Sequence, residues 1–204
     1  MKKKIAVLEA DFGNLGSIIN ALKHLKVEFS TVKSPSKLDS YSHLILPGVG
    51  SFNKASKRLK SFGWFEAIKG FANSSKPLLG ICLGMQLMFE NSEEDGFEDG
   101  LNLFSGECKK FSLNADYPLP HMGFNLVEHP NTKIWKGIPN PCPFYFVHNY
   151  RIKVGDKDNT IANSFYGEKF TSFIENKNLF GAQFHPEKSH NAGLKLLKNF
   201  IDLN

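Results

Sequence analysis

Cysteine is scarce in this chain. Cys82, Cys108 and Cys142 are an odd number with no metal-ligand spacing among them. That argues against a disulfide framework and against a zinc site, and it suits a reducing cytoplasm. Long apolar runs are lacking too. Met1-Lys2-Lys3-Lys4 followed by Ile5-Ala6-Val7-Leu8 imitates a signal peptide, but Glu9 and Asp11 cut the run short, so a first strand is expected there. No linker or repeat divides the 204 residues, of which 41% are hydrophobic, and a single domain over 1–204 is expected. The net charge of +5 comes from scattered lysines, and the aromatic residues form no stacking pattern. This describes a solvated surface better than a nucleic-acid or membrane interface.

What is present has the periodicity of an α/β protein. Apolar runs at Ile5 to Leu8, Val27 to Val32, Leu44 to Leu46 and Leu78 to Ile81 read as buried strands. Ile18, Leu22 and Leu25 form a helical stripe between two of them. Leu59, Phe62, Phe65 and Ile68 are near helix spacing, with Gly63 placed to split that segment into two helices. A parallel sheet with covering helices follows. The second half is strand-rich: Leu103 to Phe111, Phe124 to Glu128, Phe144 to Val147, Ile161 to Phe165 and Phe170 to Ile174 are expected to extend the sheet with antiparallel strands. Leu194, Leu197, Phe200 and Ile201 mark a closing amphipathic helix. The acidic run from Ser92 to Gly100 reads as a surface loop.

The chemistry starts at Pro77-Leu78-Leu79-Gly80-Ile81-Cys82-Leu83-Gly84-Met85-Gln86. A buried strand runs into a glycine-flanked cysteine and then a helix, the pattern of a nucleophile elbow with sulfur in it. The elbow needs small neighbours, which Gly80 and Gly84 supply. A helix N-terminus beneath Cys82 would favour its thiolate. A nucleophilic cysteine needs a base. Gln183-Phe184-His185-Pro186-Glu187-Lys188-Ser189 follows the apolar strand Leu179 to Ala182, and Pro186 takes the chain out of regular structure there. His185 is then the base and Glu187 the group that orients its ring. Pro47-Gly48-Val49-Gly50 follows another buried strand. The N–H groups of its Val49–Gly50 stretch, with the Leu83 N–H, can form an oxyanion hole. A phosphate cradle is disfavoured because the lysine and serine/threonine ending of a P-loop is missing.

With Pro120-His121-Met122-Gly123 and Tyr145-Phe146-Val147-His148, these pieces lie in order over nearly the whole chain. Together they resemble the class I glutamine amidotransferases, and most closely the glutaminase subunits of imidazole glycerol phosphate synthases. The resemblance implies a single-domain α/β fold with a mixed, mainly parallel central sheet, flanking helices and an antiparallel extension. It implies hydrolysis of glutamine to glutamate and ammonia through Cys82, His185 and Glu187 by way of a glutamyl thioester, with no cofactor and no metal. Gln86, His148, Asn149 and Tyr150 would line the glutamine site. A cyclase partner resembling a TIM barrel would complete a heterodimer and take the ammonia, forming imidazole glycerol phosphate in histidine biosynthesis. Phe124, Tyr145 and Lys188 would face that partner. Glutaminase activity in the family often awaits a ligand on the partner and a rearrangement of the Pro-Gly-Val-Gly loop.

Departures from the family pattern fall on the partner side. Phe124 stands where tryptophan is usual, Asn149 replaces serine or threonine, and Glu9-Ala10-Asp11-Phe12-Gly13-Asn14-Leu15-Gly16-Ser17 keeps only the second half of its usual stretch. The same glutaminase chemistry serving a sugar-amidating synthetase of surface-glycan biosynthesis is therefore the alternative destination for the ammonia. A stand-alone cysteine hydrolase is a further, less favoured reading of the chain itself.

Overall fold

A computed structural model describes residues 3–10, 15–155 and 158–203. Met1, Lys2 and the Asp11–Asn14 part of the Glu9–Ser17 stretch lie outside them. In chain order the elements are β1 (Ile5–Leu8), α1 (Gly16–His24), β2 (Phe29–Val32), β3 (His43–Leu46), α2 (Phe52–Ser61), α3 (Trp64–Asn73), β4 (Leu78–Ile81) and α4 (Leu83–Leu87). Then come β5 (Asn91–Ser92), β6 (Glu98–Asp99), β7 (Gly106–Lys110), β8 (His121–Val127), β9 (Cys142–His148), β10 (Tyr150–Val154), β11 (Thr160–Tyr166), β12 (Glu168–Asn176), β13 (Leu179–Ala182) and α5 (His190–Asp202).

The described residues form one mixed sheet of eleven strands in the order β2-β1-β3-β4-β13-β12-β10-β7-β5-β6, with β11 on β12. From β2 to β13 the strands run parallel; β12, β10 and β7 then alternate in direction. Successive residues of a strand face opposite ways, so a strand covered on both sides must be apolar throughout. In β1, Ile5 and Val7 join the core layer of α1 and α5, whereas Ala6 and Leu8 join that of α2 and α3. Each fully buried leucine, isoleucine or phenylalanine in these layers contributes about 1.5–3 kcal/mol. No helix of the described residues is long and apolar enough to cross a membrane.

Four expectations need correction. First, β8 and β9 do not extend the main sheet but pair with each other as a separate two-stranded sheet. Their inward residues Val127, Phe144 and Phe146 pack into the core layer of α1 and α5, so the hairpin is a further layer over that face. Second, Gly63 does split the helical segment, with φ of +72°, but Phe62 is about half exposed. Trp64 and Phe71 take the buried positions beside Leu59 and Ile68. Third, β2 and β7 start later than their apolar runs, at Phe29 rather than Val27 and at Gly106 rather than Leu103. Leu103 and Phe104 pack against the core as loop residues.

The fourth concerns the acidic run, which is a strap rather than a free loop. Its short strands β5 and β6 pair with each other, and β5 joins the edge of the sheet. The Glu94 carboxylate accepts the Phe52 N–H at 2.8 Å, capping the start of α2. Asn53 donates to the Asp95 and Gly96 carbonyls, and Ser56 to the Asp99 carbonyl. Helix α2 follows the Pro47–Gly50 loop directly, so the strap fixes one end of that loop.

Candidate active site

Ligand sites of open α/β sheets lie beyond the carboxyl ends of the strands. Here three adjacent parallel strands, β3, β4 and β13, each release one candidate segment at that end. β3 leads to Pro47–Gly50, β4 to Cys82 and β13 to Gln183–His185. Strand order alone therefore puts the nucleophile between the oxyanion loop and the base. A cavity of about 350 Å³ opens there, lined by Val49, Gly50, Cys82, Leu83 and Gln86 on one side. Glu94, Pro120 and the Val147–Tyr150 segment line the other. A larger recess of about 530 Å³ sits at the amino ends of β4 and β13, lined by residues such as Pro77 and Asn178, and none of the candidate residues reaches it.

The elbow is held by lack of space. Cys82 has φ of +52° and ψ of −110°, a strained conformation for a residue with a side chain, costing on the order of 1–3 kcal/mol. Its N–H donates to the Ala182 carbonyl at 2.7 Å. A Cβ on Gly84 would lie 1.8 Å from the Leu46 carbonyl oxygen, and one on Gly80 would lie 2.7 Å from both the Gly84 oxygen and the Met85 nitrogen. The two glycines are thus required by close backbone approach between the elbow and its neighbours. Helix α4 is only five residues long, so the amides beside Cys82 are better described as local donors than as the end of a long helix dipole.

On β13, the chain leaves the sheet at Gln183 and makes a 3₁₀ turn over Pro186–Lys188. That turn brings Glu187 back onto His185, whose Nδ1 lies 2.7 Å from Glu187 Oε1 with both side chains nearly inaccessible. The segment is pinned to β9: the His185 N–H donates to the Tyr145 carbonyl at 2.8 Å, and Ser189 Oγ–H to the His185 carbonyl. Burial alone would hold the imidazole neutral, but the sulfur of Cys82 and the carboxylate of Glu187 outweigh it and raise its pKa to about 10. A protonated imidazole held by the Glu187 carboxylate is the state this geometry favours.

The oxyanion loop has the freedom its role needs. Gly50 has φ of +107°, and a Cβ there would meet nothing within 4 Å, so glycine is required by backbone conformation and not by crowding. Among the described residues, the Val49, Gly50 and Leu83 amides have no backbone carbonyl partner, and all three residues line the cavity. These are donors available to a ligand.

Gln86 is buried rather than exposed. Its Nε2 donates to the Tyr150 carbonyl at 3.3 Å and to Gln183 Oε1 at 3.1 Å. His148 lines the cavity, but both its nitrogens are engaged: Nδ1 with the Tyr150 carbonyl at 2.7 Å and Nε2 with His121 Nδ1 at 2.9 Å. Since a carbonyl only accepts, His148 carries its proton on Nδ1, His121 then donates from its own Nδ1, and Asn125 Nδ2 donates to His121 Nε2. Burial lowers His121 to about 4 and His148 to about 3, keeping both rings neutral. Asn149 is exposed at the rim, and Tyr150 lines the cavity while its carbonyl accepts from Gln86 and His148.

Phe124, Tyr145 and Lys188 meet outside the cavity. The Phe124 ring stands edge-on to Tyr145, and the Lys188 ammonium lies 5.6 Å from the Tyr145 ring centroid. Met122, Phe124 and Leu126 point the same way from β8, each more than half exposed. Sequence reasoning missed two residues here, Glu94 and Gln183. Glu94 is the acidic side chain of the cavity wall, and burial raises its pKa. The only signal for it was the acidic run, read as solvated.

Fold and site together define an amidotransferase with a cysteine elbow. The chain belongs to the class-I glutamine amidotransferase family, whose sequence model matches residues 7–203. It is 44% identical over 202 residues to imidazole glycerol phosphate synthase subunit HisH of Sulfurimonas denitrificans, covering 96% of both chains. It is 42% identical to subunit HisH 1 of Campylobacter jejuni, covering 98% of this chain and 100% of that one. The backbone also matches the structure of PurLQS from Thermotoga maritima with a TM-score of 0.76 at 18% identity, over 99% of each chain.

Proposed function

We propose that this chain is a single glutaminase domain that supplies ammonia to the cyclase subunit of an imidazole glycerol phosphate synthase in histidine biosynthesis, in the cytoplasm. The observation that carries the proposal is that Cys82 shares one cavity with Val49, Gly50 and Leu83 while the His185–Glu187 pair stands beside its sulfur, in a chain 44% identical to a HisH subunit.

In this reading the Cys82 thiolate attacks the side-chain carbonyl carbon of glutamine, and the oxyanion that forms is held by the Leu83 N–H and the Val49–Gly50 loop. The C–N bond breaks as His185 hands its proton to the leaving nitrogen, giving ammonia and a glutamyl thioester. Thioester formation removes the thiolate charge that helped to hold the proton on His185. The ring is then poised to take a proton from water, which attacks the thioester and releases glutamate. Glu187 keeps Nδ1 protonated and the ring oriented throughout. Gln86, His148, Asn149 and Tyr150 form the wall against which glutamine rests, and Glu94 supplies the negative charge for its α-ammonium group.

The exposed apolar row on β8, with Tyr145 and Lys188 beside it, suits a docking face for a barrel-shaped cyclase. Ammonia is mostly protonated in water, so a sheltered exit toward that face is part of the proposal.

The test is glutamate release from glutamine, alone and with the cyclase subunit of the same organism loaded with its nucleotide ligand. Stimulation by the loaded partner is expected; equal turnover in its absence removes the coupling, and silence with it redirects the search to a sugar-amidating synthetase. In the same assay Glu94→Gln is expected to raise KM for glutamine about 10- to 100-fold with little change in kcat, the signature of lost charge pairing in the ground state. An unchanged KM removes Glu94 from the glutamine site.

A further inference from the structure

The chain contains only two glutamines, Gln86 and Gln183, and the fold brings their side chains together beside the nucleophile. Gln183 is fully buried at the end of β13, and its Nε2 lies 3.8 Å from Cys82 Sγ. The amide orientations follow from an acceptor that cannot turn around. The Tyr150 carbonyl requires Gln86 to present its NH₂ group, whose other hydrogen goes to Gln183 Oε1. Gln183 must then turn its own NH₂ toward sulfur. The Val147 carbonyl oxygen lies 3.9 Å from the same sulfur.

From this geometry we infer that Gln183 is a positioning residue for the nucleophile: its amide donates to the Cys82 thiolate and ties the sulfur to Gln86 in the glutamine site. The inference rests on the glutaminase reading above. A neutral thiol has the Val147 carbonyl within reach as an acceptor. Loss of the proton turns that contact repulsive and strengthens the one to Gln183, because a charged acceptor makes the stronger hydrogen bond. The sulfur is thereby drawn off Val147. Packing alone does not call for an amide here, since methionine would fill the same space without a buried polar group to satisfy.

The test uses full-length protein with its cyclase partner and follows carbamidomethylation of the Cys82 peptide by iodoacetamide across pH. Gln183→Met is expected to slow alkylation at pH 7 about tenfold, the effect of removing one stabilising contact from the thiolate. Gln183→Glu still accepts from Gln86 but sets an oxygen against the sulfur; it is expected to be slower still, with kcat reduced and KM for glutamine near that of wild type. Alkylation of both variants at the wild-type rate at every pH overturns the inference. A second readout needs no variant of Gln183. With ¹⁵N in the glutamine side chains, one of the two NH₂ signals of the wild type is expected to move with the ionisation of Cys82 and to stay fixed in Cys82→Ala; no movement in the wild type overturns the inference. Failure of the wild type itself to hydrolyse glutamine with its loaded partner would count against the glutaminase reading, whereas an active wild type with insensitive Gln183 variants would count only against this role.

Discussion

Gly84→Ala is expected to lose both stability and glutaminase activity, although it adds a single methyl group. The new Cβ would sit 1.8 Å from the Leu46 oxygen and 2.8 Å from the Leu46 carbon. Both are backbone atoms of β3, a central strand, so no side-chain rotation relieves the contact. Overpacking of this kind costs about 1–3 kcal/mol and sometimes more. Relief has to come from moving the elbow away from β3 or from moving the end of β3, which leads straight into Pro47–Gly50. Either shift separates Cys82 from the Val49–Gly50 donors. The checks are the denaturant midpoint and glutamate release with the loaded partner. Gly50→Ala is the informative contrast. Its Cβ meets nothing within 4 Å, so the strain of φ at +107° falls on the loop and the rest of the fold is left intact. Comparable midpoints for wild type and Gly84→Ala would show that the elbow glycine is not required by contact.

His185→Asn is expected to reduce kcat by about 10²- to 10⁴-fold, the range for loss of a general acid–base group, with a smaller change in KM. The pH dependence carries the more specific expectation. Although burial lowers its pKa, Cys82 and Glu187 raise it further, to about 10. The imidazolium needed to protonate the leaving nitrogen is thus kept through neutrality, and the alkaline limb of kcat/KM for the wild type is expected near pH 10. Glu187→Gln removes one of the two raising charges and is expected to move that limb to lower pH. The sign for stability is the same: a raised folded-state pKa contributes stability fully present below the unfolded value of about 6.5 and lost as pH rises through about 10. An alkaline limb that stays put in Glu187→Gln would show that the carboxylate does not act on the ring.

Much of the site is legible in the sequence because its constraints are local. Gly80 and Gly84 flank Cys82 where backbone packs on backbone, Pro186 starts the turn that folds Glu187 onto His185, and Gly50 holds a backbone angle that other residues avoid. Each of these residues stands in a motif a few positions long, even where, as for Gly84 against Leu46, the atom it must avoid is distant in sequence. What escaped depends on partners distant in sequence. Gln183 acquires its meaning from Gln86, 97 positions away, and Glu94 acts through the Phe52 amide, 42 positions away. His121 and His148 become a pair only through the register of β8 on β9.

The fold divides in the same way. Buried runs such as Leu78–Ile81 announce parallel strands because they are covered on both faces. The alternating pattern of β8 and β9 announces strands but does not say which sheet they join. Their exposed row of Met122, Phe124 and Leu126 lies on the face proposed for the cyclase, and the pattern alone does not separate such a face from an ordinary solvent-facing one.

The central claim is that Cys82 carries the glutamyl group. The most direct measurement is an acid quench of the partner-loaded protein turning over labelled glutamine, followed by mass analysis of the Cys82 peptide beside a glutamate assay of Cys82→Ala. The account predicts a glutamyl thioester on Cys82 and no glutamate above background from Cys82→Ala. Glutamate formation by Cys82→Ala at the wild-type rate would contradict it.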